Sequence, residues 1–371
     1  MVQRIITPVD NYRGLDEWMA SAKCQSILLV CDGSVRFLSD ISRHLFEIDK
    51  SGVRLIRFSD FQPNPLYESV VEGVQLFHKE KCKAIIAIGG GSAIDVAKCI
   101  KLYSNMDISR NFLEQEIIPN DIPFLVMPTT AGTGSEATRY AVIYYQDAKQ
   151  SVTHESCIPD TVLMDSSALR TLPLYQKKST MLDAFCHSIE SFWSVNSTDE
   201  SKAYSKDAIR RIMANMNGYL QNEDQANAEM LLAANIAGKA INIAQTTAGH
   251  AMCYKLTSLY GIAHGHAAAL CVRALFPWML KNTDKCVDAR GQEYLMGVFK
   301  EIAQAMDCNT PEQACAKLDS IVKDLQLSVP TASESDYELL KTSVNPTRLK
   351  NHPIRLDSDT IDMLYHRALY E

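Results

Sequence analysis

Four side chains of the kind that bind metals lie in two short stretches of the chain. Asp183 and His187 are four residues apart within a helical pattern, which places a carboxylate and an imidazole on one helical face. His250 and His264 follow in a single, largely apolar, glycine-bounded stretch. One aspartate and three histidines would suit a borderline divalent cation such as Fe(II) or Zn(II). We therefore predict a metal site here, against the simpler alternative that each histidine is a packed structural residue.

His266 comes two residues after His264 and has no fixed role in this pattern. It is a candidate partner that orients a metal ligand, a candidate proton shuttle, a candidate substrate contact, or an ordinary packed histidine. Cys186 and Cys253 also lie beside the candidate ligands. We interpret both as small core residues, because cysteine is often buried for its packing alone.

Two loops rich in glycine and hydroxyl side chains each follow an apolar strand pattern. Gly89-Gly90-Gly91-Ser92 follows residues 84–88 (AIIAI) and opens a helical pattern, and PTTAGTGSEAT (128–138) follows residues 124–127. Glycines let the backbone approach a ligand closely, and free N–H groups at a helix start attract phosphate. The first loop is therefore either a phosphate cradle or a plain tight turn, and the second loop at the same kind of strand end favours the cradle.

The glycine loop after residues 84–88 does not match a common nucleotide-binding fingerprint. It lacks the GxGxxG pattern and any Walker lysine. An ordinary Rossmann enzyme and a P-loop ATPase are therefore not supported.

The pattern of predicted secondary structure changes along the chain. Short apolar runs alternate with helical patterns in the first half, which is typical of a parallel α/β sheet, and beyond about residue 173 the patterns are mostly helical. We expect an α/β domain over residues 1–170 and an all-helical domain over residues 171–371. The expected strands are 26–30, 53–58, 84–88, 124–127 and 161–164, with a hairpin of 140–145 and 150–153 around Asp147. The expected helices are 66–80, 179–195, 202–217, 225–247, 270–280 and 291–306.

Composition sets limits on partners and location. The chain has 371 residues and a formal net charge of -7, which argues against broad binding to nucleic acid. It shows no signal peptide and no apolar run of transmembrane length, so we expect a cytoplasmic protein with no membrane partner. The 11 cysteines are scattered without a CxxC pair, which favours reduced, mostly buried thiols over a disulfide framework.

Four segments together resemble the iron-containing, group III alcohol dehydrogenase family along essentially the whole chain: GGGSAIDVAK, PTTAGTGSEAT, LDAFCHSIE and HAMCYKLTSLYGIAHG. The resemblance implies a dinucleotide-binding α/β domain with a mostly parallel sheet, an all-helical C-terminal domain, and a metal in the cleft between the two domains. It implies an NAD-dependent, metal-containing alcohol dehydrogenase or aldehyde reductase. We also expect a homo-oligomer, namely a dimer.

The resemblance assigns site residues at matching positions. It implies that Asp183, His187, His250 and His264 are the metal ligands, with Fe(II) preferred and Zn(II) the alternative. Asp32 falls where family members often carry an acidic residue that faces the adenosine ribose, which favours NAD(H) over NADP(H). The remaining implied NAD(H)-binding residues are Gly90, Gly91, Ser92, Asp95, Thr129, Thr130, Thr133 and Lys149. On composition alone, Lys149 would be interpreted as a solvated charge on the hairpin.

The chain departs from the family pattern beside two ligands. Many relatives carry a histidine four residues after the ligand that corresponds to His250, where this chain has Tyr254, and Ala263 replaces a proline before His264. A proton relay at that position would use the Tyr254 hydroxyl, His266 or water. Tyr254 and His266 are therefore the candidates for proton relay or substrate contact.

The run from Tyr254 to Tyr260 and the His-Gly-His ending look like the branch that reduces sulfoacetaldehyde or phosphonoacetaldehyde. Such a substrate carries an anionic head two carbons from the aldehyde, so its pocket needs a cation or several donors. Lys255 and Arg348 are the candidates, although a solvated surface charge is the simpler interpretation of each.

The expected reaction is the metal-dependent, NADH-linked reduction of a small anionic aldehyde, with sulfoacetaldehyde to isethionate as first choice. Phosphonoacetaldehyde comes second and a simple aliphatic aldehyde third. A lyase resembling dehydroquinate synthase and a non-catalytic nucleotide-binding protein are the more remote alternatives.

Overall fold

The computed structural model describes residues 3–146, 148–344 and 346–370. The chain divides into two compact units, the first ending at Leu172 and the second beginning at Pro173. The first unit has an α/β architecture and the second is helical, which confirms the expected fold class.

The described part of the first unit contains a sheet, a hairpin and four α-helices. Its strands are β1 (Arg4–Ile6), β2 (Ser26–Cys31), β3 (Arg54–Phe58), β4 (Ala84–Gly89), β5 (Phe124–Pro128), β6 (Tyr140–Tyr145), β7 (Ala148–Thr153) and β8 (Thr161–Leu163). Its helices are α1 (Val9–Ala22), whose first turn has positive φ angles, α2 (Ser39–Lys50), α3 (Tyr67–Lys79) and α4 (Gly91–Tyr103). Six strands form a parallel sheet in the order β1-β8-β5-β4-β2-β3, and β6 pairs with β7 in a separate antiparallel hairpin.

The expected strands and the hairpin are present with ends shifted by no more than two residues. Asp147, the expected centre of the hairpin, lies outside the described residues. Strand β1 was not predicted, because its three residues are too few to show a pattern and they are held as an edge strand by pairing with β8.

The central strands are apolar throughout because helices cover both faces of the sheet. Leu28 and Val30 of β2 belong to a core that includes residues of α3 and α4, whereas Ile27 and Leu29 belong to a second core with residues of α1 and α2. A strand buried on both faces shows no alternation of polar and apolar residues. This burial explains the continuous apolar runs in the sequence.

The order of the strands creates one position suited to a ligand. Strand β2 pairs with β3 on one side and with β4 on the other, so the sheet grows in two directions from β2. Ligands of open α/β sheets bind at such a switch point, beyond the carboxyl ends of the strands. Asp32 follows β2 and Gly90 follows β4 at this edge.

The second unit consists of helices. They are α5 (Leu174–Trp193), α6 (Asp199–Leu220), α7 (Asp224–Ala244), α8 (Ala248–Tyr260), α9 (His264–Lys281), α10 (Gln292–Ala305), α11 (Pro311–Asp324), α12 (Glu334–Ser343), α13 (Pro346–Leu349) and α14 (Ser358–Ala368). Within the described ranges, no helix is both long and apolar enough to cross a membrane. All 11 cysteines of the chain are free thiols, and most of them are buried.

Helix α8 was not predicted, although it carries His250. The segment has a glycine in its first turn and few polar residues, so it shows no clear amphipathic pattern. The helix ends at Gly261, whose φ of 67° is in the left-handed region that favours glycine.

Candidate active site

Helix α5 holds two candidate metal ligands in the interior of the second unit. Asp183 and His187 are one turn apart, and their side chains are 4% and 7% exposed. Contacts with α6, α7, α9 and α10 surround α5, so most of its residues are buried. A carboxylate and an imidazole at such positions require polar or ionic partners.

The start of α9 lies close against α5 because residue 265 has no side chain. A Cβ atom at Gly265 would lie 2.1 Å from the carbonyl oxygen of Ser179 and 2.6 Å from Cβ of Asp183. The backbone N–H of His266 also donates to Ser179 Oγ at 3.1 Å. These contacts hold His264, the first residue of α9, beside Asp183.

The candidate ligand atoms converge on Asp183. The Nε2 atoms of His250, His187 and His264 lie 3.4, 3.9 and 4.0 Å from Asp183 Oδ1. Donor atoms around a tetrahedral ion with bonds of about 2.1 Å are about 3.4 Å apart. Asp183, His187 and His250 also form a buried group whose ligand atoms all lie within 4.8 Å of one another. One oxygen and three nitrogens at this spacing fit a divalent metal ion.

The charges around Asp183 oppose the effect of its burial. Burial raises the pKa of this carboxyl, but His187, His250 and His264 together hold it well below its usual range. Burial lowers the pKa of His250, whereas the carboxylates of Glu190 and Asp183 outweigh that effect and raise it to about 9. Asp183 is therefore ionised, as a cation requires, whereas His250 must lose its extra proton when a metal binds.

His264 differs from the other candidate ligands in its exposure. Its side chain is 35% exposed, whereas that of His250 is 2% exposed. The ring of Tyr254 stacks on that of His264 with a centroid separation of 5.3 Å, and Cys253 Sγ lies 3.6 Å from His264 Nδ1. Tyr254 is thus beside the ligand that a small molecule can approach.

His266 is fully buried behind the ligands. Its Nδ1 lies 3.2 Å from the Tyr175 hydroxyl, which accepts a hydrogen bond from the backbone N–H of Ala263 at 2.9 Å. Because Ala263 directly precedes His264, Tyr175 and His266 brace the turn that leads into α9. This placement favours a packed, ligand-orienting role of His266 over a substrate contact.

In the first unit, the two predicted cofactor loops lie against each other. A Cβ atom at Gly90 would lie 3.4 Å from Cγ2 of Thr130, and one at Gly91 would lie 3.0 Å from Cγ2 of Thr133. The glycine loop thus presents bare backbone to the threonine loop. The structure brings together residues that are about 40 positions apart in the sequence.

The start of α4 offers N–H groups to a ligand. Gly90 is the N-cap residue, it provides no side-chain cap, and Ser92 lies in the first turn. The backbone N–H of Thr129 donates to the carbonyl oxygen of Gly89 at 3.0 Å, which ties the second loop to the first. Open N–H groups at a helix start, with glycines that permit close approach, fit a pyrophosphate.

Lys98 of α4 organises the second loop from inside the unit. Its ammonium group is fully buried and donates to the carbonyl oxygens of Ser135, Thr138 and Tyr140 at 2.6, 2.8 and 2.7 Å. Burial lowers the pKa of Lys98, and the charge of Asp95 opposes that effect. The lysine therefore ties two backbone positions of the loop and the first residue of β6 to one helix.

Asp95 lies one turn before Lys98 and uses both carboxylate oxygens on protein donors. It accepts from Ser135 Oγ at 2.6 Å and from the backbone N–H of Val142 at 3.0 Å. Burial raises the pKa of Asp95, while the positive charges of Lys98 and Lys149 lower it. These contacts favour a role in holding the loop, and they place Lys149 of β7 within electrostatic reach of it.

Asp32 lies beside the glycine loop at the end of β2. Its Oδ2 would lie 3.3 Å from a Cβ atom at Gly89, and its Oδ1 accepts from the backbone N–H of Ser34 at 2.7 Å. Arg57, near the end of β3, donates from Nη2 to the carbonyl oxygen of Asp32 at 3.4 Å. A carboxylate at this position can accept hydrogen bonds from ribose hydroxyls.

Known proteins share these two units. Residues 3–166 match the family model of iron-containing alcohol dehydrogenase, and residues 177–369 match the model of the C-terminal part of the Fe-containing alcohol dehydrogenase family. The chain belongs to the iron-containing alcohol dehydrogenase family. It is therefore an oxidoreductase of the alcohol dehydrogenase type, as the sequence motifs predicted.

Relatives in the iron-containing alcohol dehydrogenase family are named for different substrates. NADPH-dependent butanol dehydrogenase of Clostridium saccharobutylicum is 27% identical over 344 residues, which are 89% of this chain and 86% of that protein. Phosphonoacetaldehyde reductase of Streptomyces viridochromogenes is 29% identical over 294 residues, which are 75% and 74%. The crystal structure of sulfoacetaldehyde reductase from Bifidobacterium kashiwanohense in complex with NAD+ has a TM-score of 0.84 at 23% identity and covers 99% of this chain and 97% of that chain. This last similarity shows a shared fold.

For two residues within the iron-containing alcohol dehydrogenase motifs, the sequence predicted no role. Glu190 follows Asp183 by seven residues on the same face of α5, and its carboxylate contacts His250 Nδ1. Lys98 follows Asp95 by three residues on α4. The helical spacing in each motif was the available signal, because charged residues on a buried face require partners.

Proposed function

We propose that this iron-containing alcohol dehydrogenase is a metal-dependent, NADH-linked reductase of a small anionic aldehyde, with sulfoacetaldehyde as the first candidate substrate and isethionate as its product. The observation that carries the proposal is the convergence of three imidazole nitrogens on the Asp183 carboxylate. Family membership supplies the class of reaction, and this donor set supplies a site for the Lewis acid.

Particular residues of the chain would bind the metal, bind the cofactor and transfer the proton. Asp183 and the three histidines would hold the metal, with Fe(II) preferred, and the backbone at Gly90 and Gly91 would bind the pyrophosphate of the cofactor. When bound, the divalent metal polarises a carbonyl oxygen and NADH supplies a hydride. Tyr254, stacked on the exposed ligand His264, is the candidate to pass a proton from its hydroxyl to the product oxygen.

The anionic head of the substrate needs a positive partner. Lys255 is partly exposed on α8, one residue beyond Tyr254, and α13, which carries Arg348, contacts α8. The side chain of Arg348 lies outside the described residues. Because His266 is buried against Tyr175, Lys255 and Arg348 are the proposed contacts of the head group.

A substrate comparison tests this proposal. We expect kcat/KM for sulfoacetaldehyde to exceed that for propionaldehyde when NADH oxidation is followed with the metal-loaded protein. Lys255→Gln should lower kcat/KM for sulfoacetaldehyde about 10–100-fold, since a hydrogen bond to a charged group contributes about 1.5–3 kcal/mol. The value for propionaldehyde should stay unchanged.

The same assay separates the alternatives. Equal or better turnover of propionaldehyde would overturn the anionic substrate and favour an uncharged aldehyde, in line with the butanol dehydrogenase relative. Faster turnover of phosphonoacetaldehyde would move the assignment to that substrate. Steady NADH consumption with any of the aldehydes would exclude the lyase, and a protein without metal or turnover would favour the non-catalytic alternative.

The preference for NADH should depend on the charge of Asp32. Asp32→Asn keeps an oxygen for the Ser34 N–H but removes the charge that repels a 2′-phosphate, and Arg57 is already nearby. We expect the ratio of kcat/KM for NADPH to that for NADH to rise about tenfold, since one lost charge repulsion of about 1.4 kcal/mol corresponds to that factor. Adding Arg57→Gln should lower the ratio again, because it removes a positive charge beside the 2′-phosphate. An unchanged ratio in Asp32→Asn would show that the ribose does not face this carboxylate.

A further inference from the structure

Glu190 connects helix α5 to the start of α8. It is fully buried and lies one turn beyond His187. Its Oε1 accepts from the backbone N–H groups of Thr247 and Gly249 at 3.1 and 2.9 Å and from Thr247 Oγ1 at 2.6 Å. Its Oε2 accepts from the backbone N–H of His250 at 3.2 Å and contacts the Nδ1 atom of the same residue.

The backbone of α8 is shaped to admit this carboxylate. A Cβ atom at Gly249 would lie 3.0 Å from Glu190 Oε1 and 2.5 Å from Cγ2 of Val272, so a larger residue would compete for the same space. The N-cap residue Thr247 provides no side-chain cap for α8. Glu190 therefore supplies from another helix the acceptors that the first turn of α8 needs.

The two nitrogens of the His250 ring have different partners. Nδ1 contacts Glu190, and Nε2 lies 3.4 Å from Asp183 Oδ1 on the side of the candidate ligands. A carboxylate accepts hydrogen bonds and has none to donate when ionised. Both neighbours of the ring are carboxylates, but the contact of Glu190 with Nδ1 is the closer of the two. The proton of a neutral His250 ring therefore belongs on Nδ1, which leaves the lone pair of Nε2 facing the metal position.

We propose that Glu190 is the positioning residue that fixes the tautomer and the ring orientation of His250 for metal binding. The inference rests on the proposed metal site and adds a residue that does not itself ligate the ion. Carboxylates that hold a ligating histidine in this way typically contribute about 10–100-fold in metal affinity.

Glu190→Gln tests the proposal because the two side chains have the same shape. The amide oxygen can still accept from Thr247 and Gly249, but the amide nitrogen then donates to His250 Nδ1 and leaves the ring proton on Nε2, which faces the metal position. We expect the dissociation constant of Zn(II), measured by competition with a chelator, to rise about 10–100-fold. The far-ultraviolet circular dichroism should stay that of the wild type.

Thr247→Val is the matched control. It removes the hydroxyl that donates to Glu190 and accepts from Trp193 Nε1, but it leaves the contact of Glu190 with His250. A lower melting temperature with unchanged Zn(II) affinity is the expected result. Equal losses of Zn(II) affinity in both variants would overturn the proposal, because Glu190 would then act only through the stability of α8.

A measurement on the wild-type protein keeps the proposal testable if Glu190→Gln does not fold. In Zn(II)-loaded protein with 15N-labelled histidine, we expect His250 to carry its proton on Nδ1 and to bind the metal through Nε2. Binding through Nδ1, or wild-type affinity in Glu190→Gln, would overturn the role of Glu190. A wild-type protein that binds no stoichiometric Zn(II) would instead overturn the metal site itself, and with it this inference.

Discussion

Replacing His250 with alanine should leave the protein folded but unable to retain its metal. The change removes one of the three buried side chains whose ligand atoms lie within 4.8 Å of one another. Loss of a Lewis acid that contributes several kcal/mol to the transition state should lower kcat/KM for aldehyde reduction by about a thousandfold. Metal content per chain, measured by mass spectrometry after gel filtration, and NADH oxidation give the two readouts.

His78→Ala provides the control for that experiment. His78 is an exposed histidine on α3 in the first unit, so its removal should change neither metal content nor turnover. A His250→Ala protein that is metal-loaded and fully active would show that the ligands are misassigned.

Gly265→Ala should disrupt the same site by a steric route. The new Cβ atom would lie 2.1 Å from a backbone carbonyl oxygen of α5 and 2.6 Å from Cβ of Asp183, and neither atom belongs to a flexible side-chain end. Helix α9 must then move away from α5 and take His264 with it. We expect a free energy of unfolding lower by about 3 kcal/mol, at the upper end of overpacking costs, together with weaker metal retention. Urea unfolding and metal content measure the two effects.

Gly297→Ala is the matched control on α10. A Cβ atom there would meet no atom within 4 Å, so the substitution should stabilise the helix by about 0.5–1 kcal/mol. If Gly265→Ala were as harmless as this control, the close approach of α9 to α5 would be wrong.

Part of the candidate metal site could be predicted from the sequence because helical spacing is a local property. Asp183 and His187 share a face of α5 for geometric reasons that need no tertiary contact. The hydrogen-bond partners around these residues could not be predicted from helical spacing. Glu190 meets His250 across 60 residues of sequence, and the Tyr175 hydroxyl meets the backbone of Ala263 across 88 residues.

In the fold as well, local patterns could be predicted from the sequence and tertiary contacts could not. Buried strands such as β4 can be predicted from the sequence because their apolar run is unbroken. The placement of β1 beside β8, and of Asp32 beside the glycine loop, depends on the order of strands in the sheet. Lys98 resembles a surface charge in the sequence, yet its three backbone acceptors lie 37 to 42 residues further along the chain.

Reconstitution of metal-free protein tests whether aldehyde reduction depends on one metal ion bound at Asp183 and the three histidines. After removal of metal with a chelator, Fe(II) is added anaerobically in steps while sulfoacetaldehyde-dependent NADH oxidation and bound metal are measured together. We expect negligible activity without metal and a linear rise that ends when each chain holds a single ion at Asp183, His187, His250 and His264. Full activity in the metal-free protein would contradict this dependence on metal.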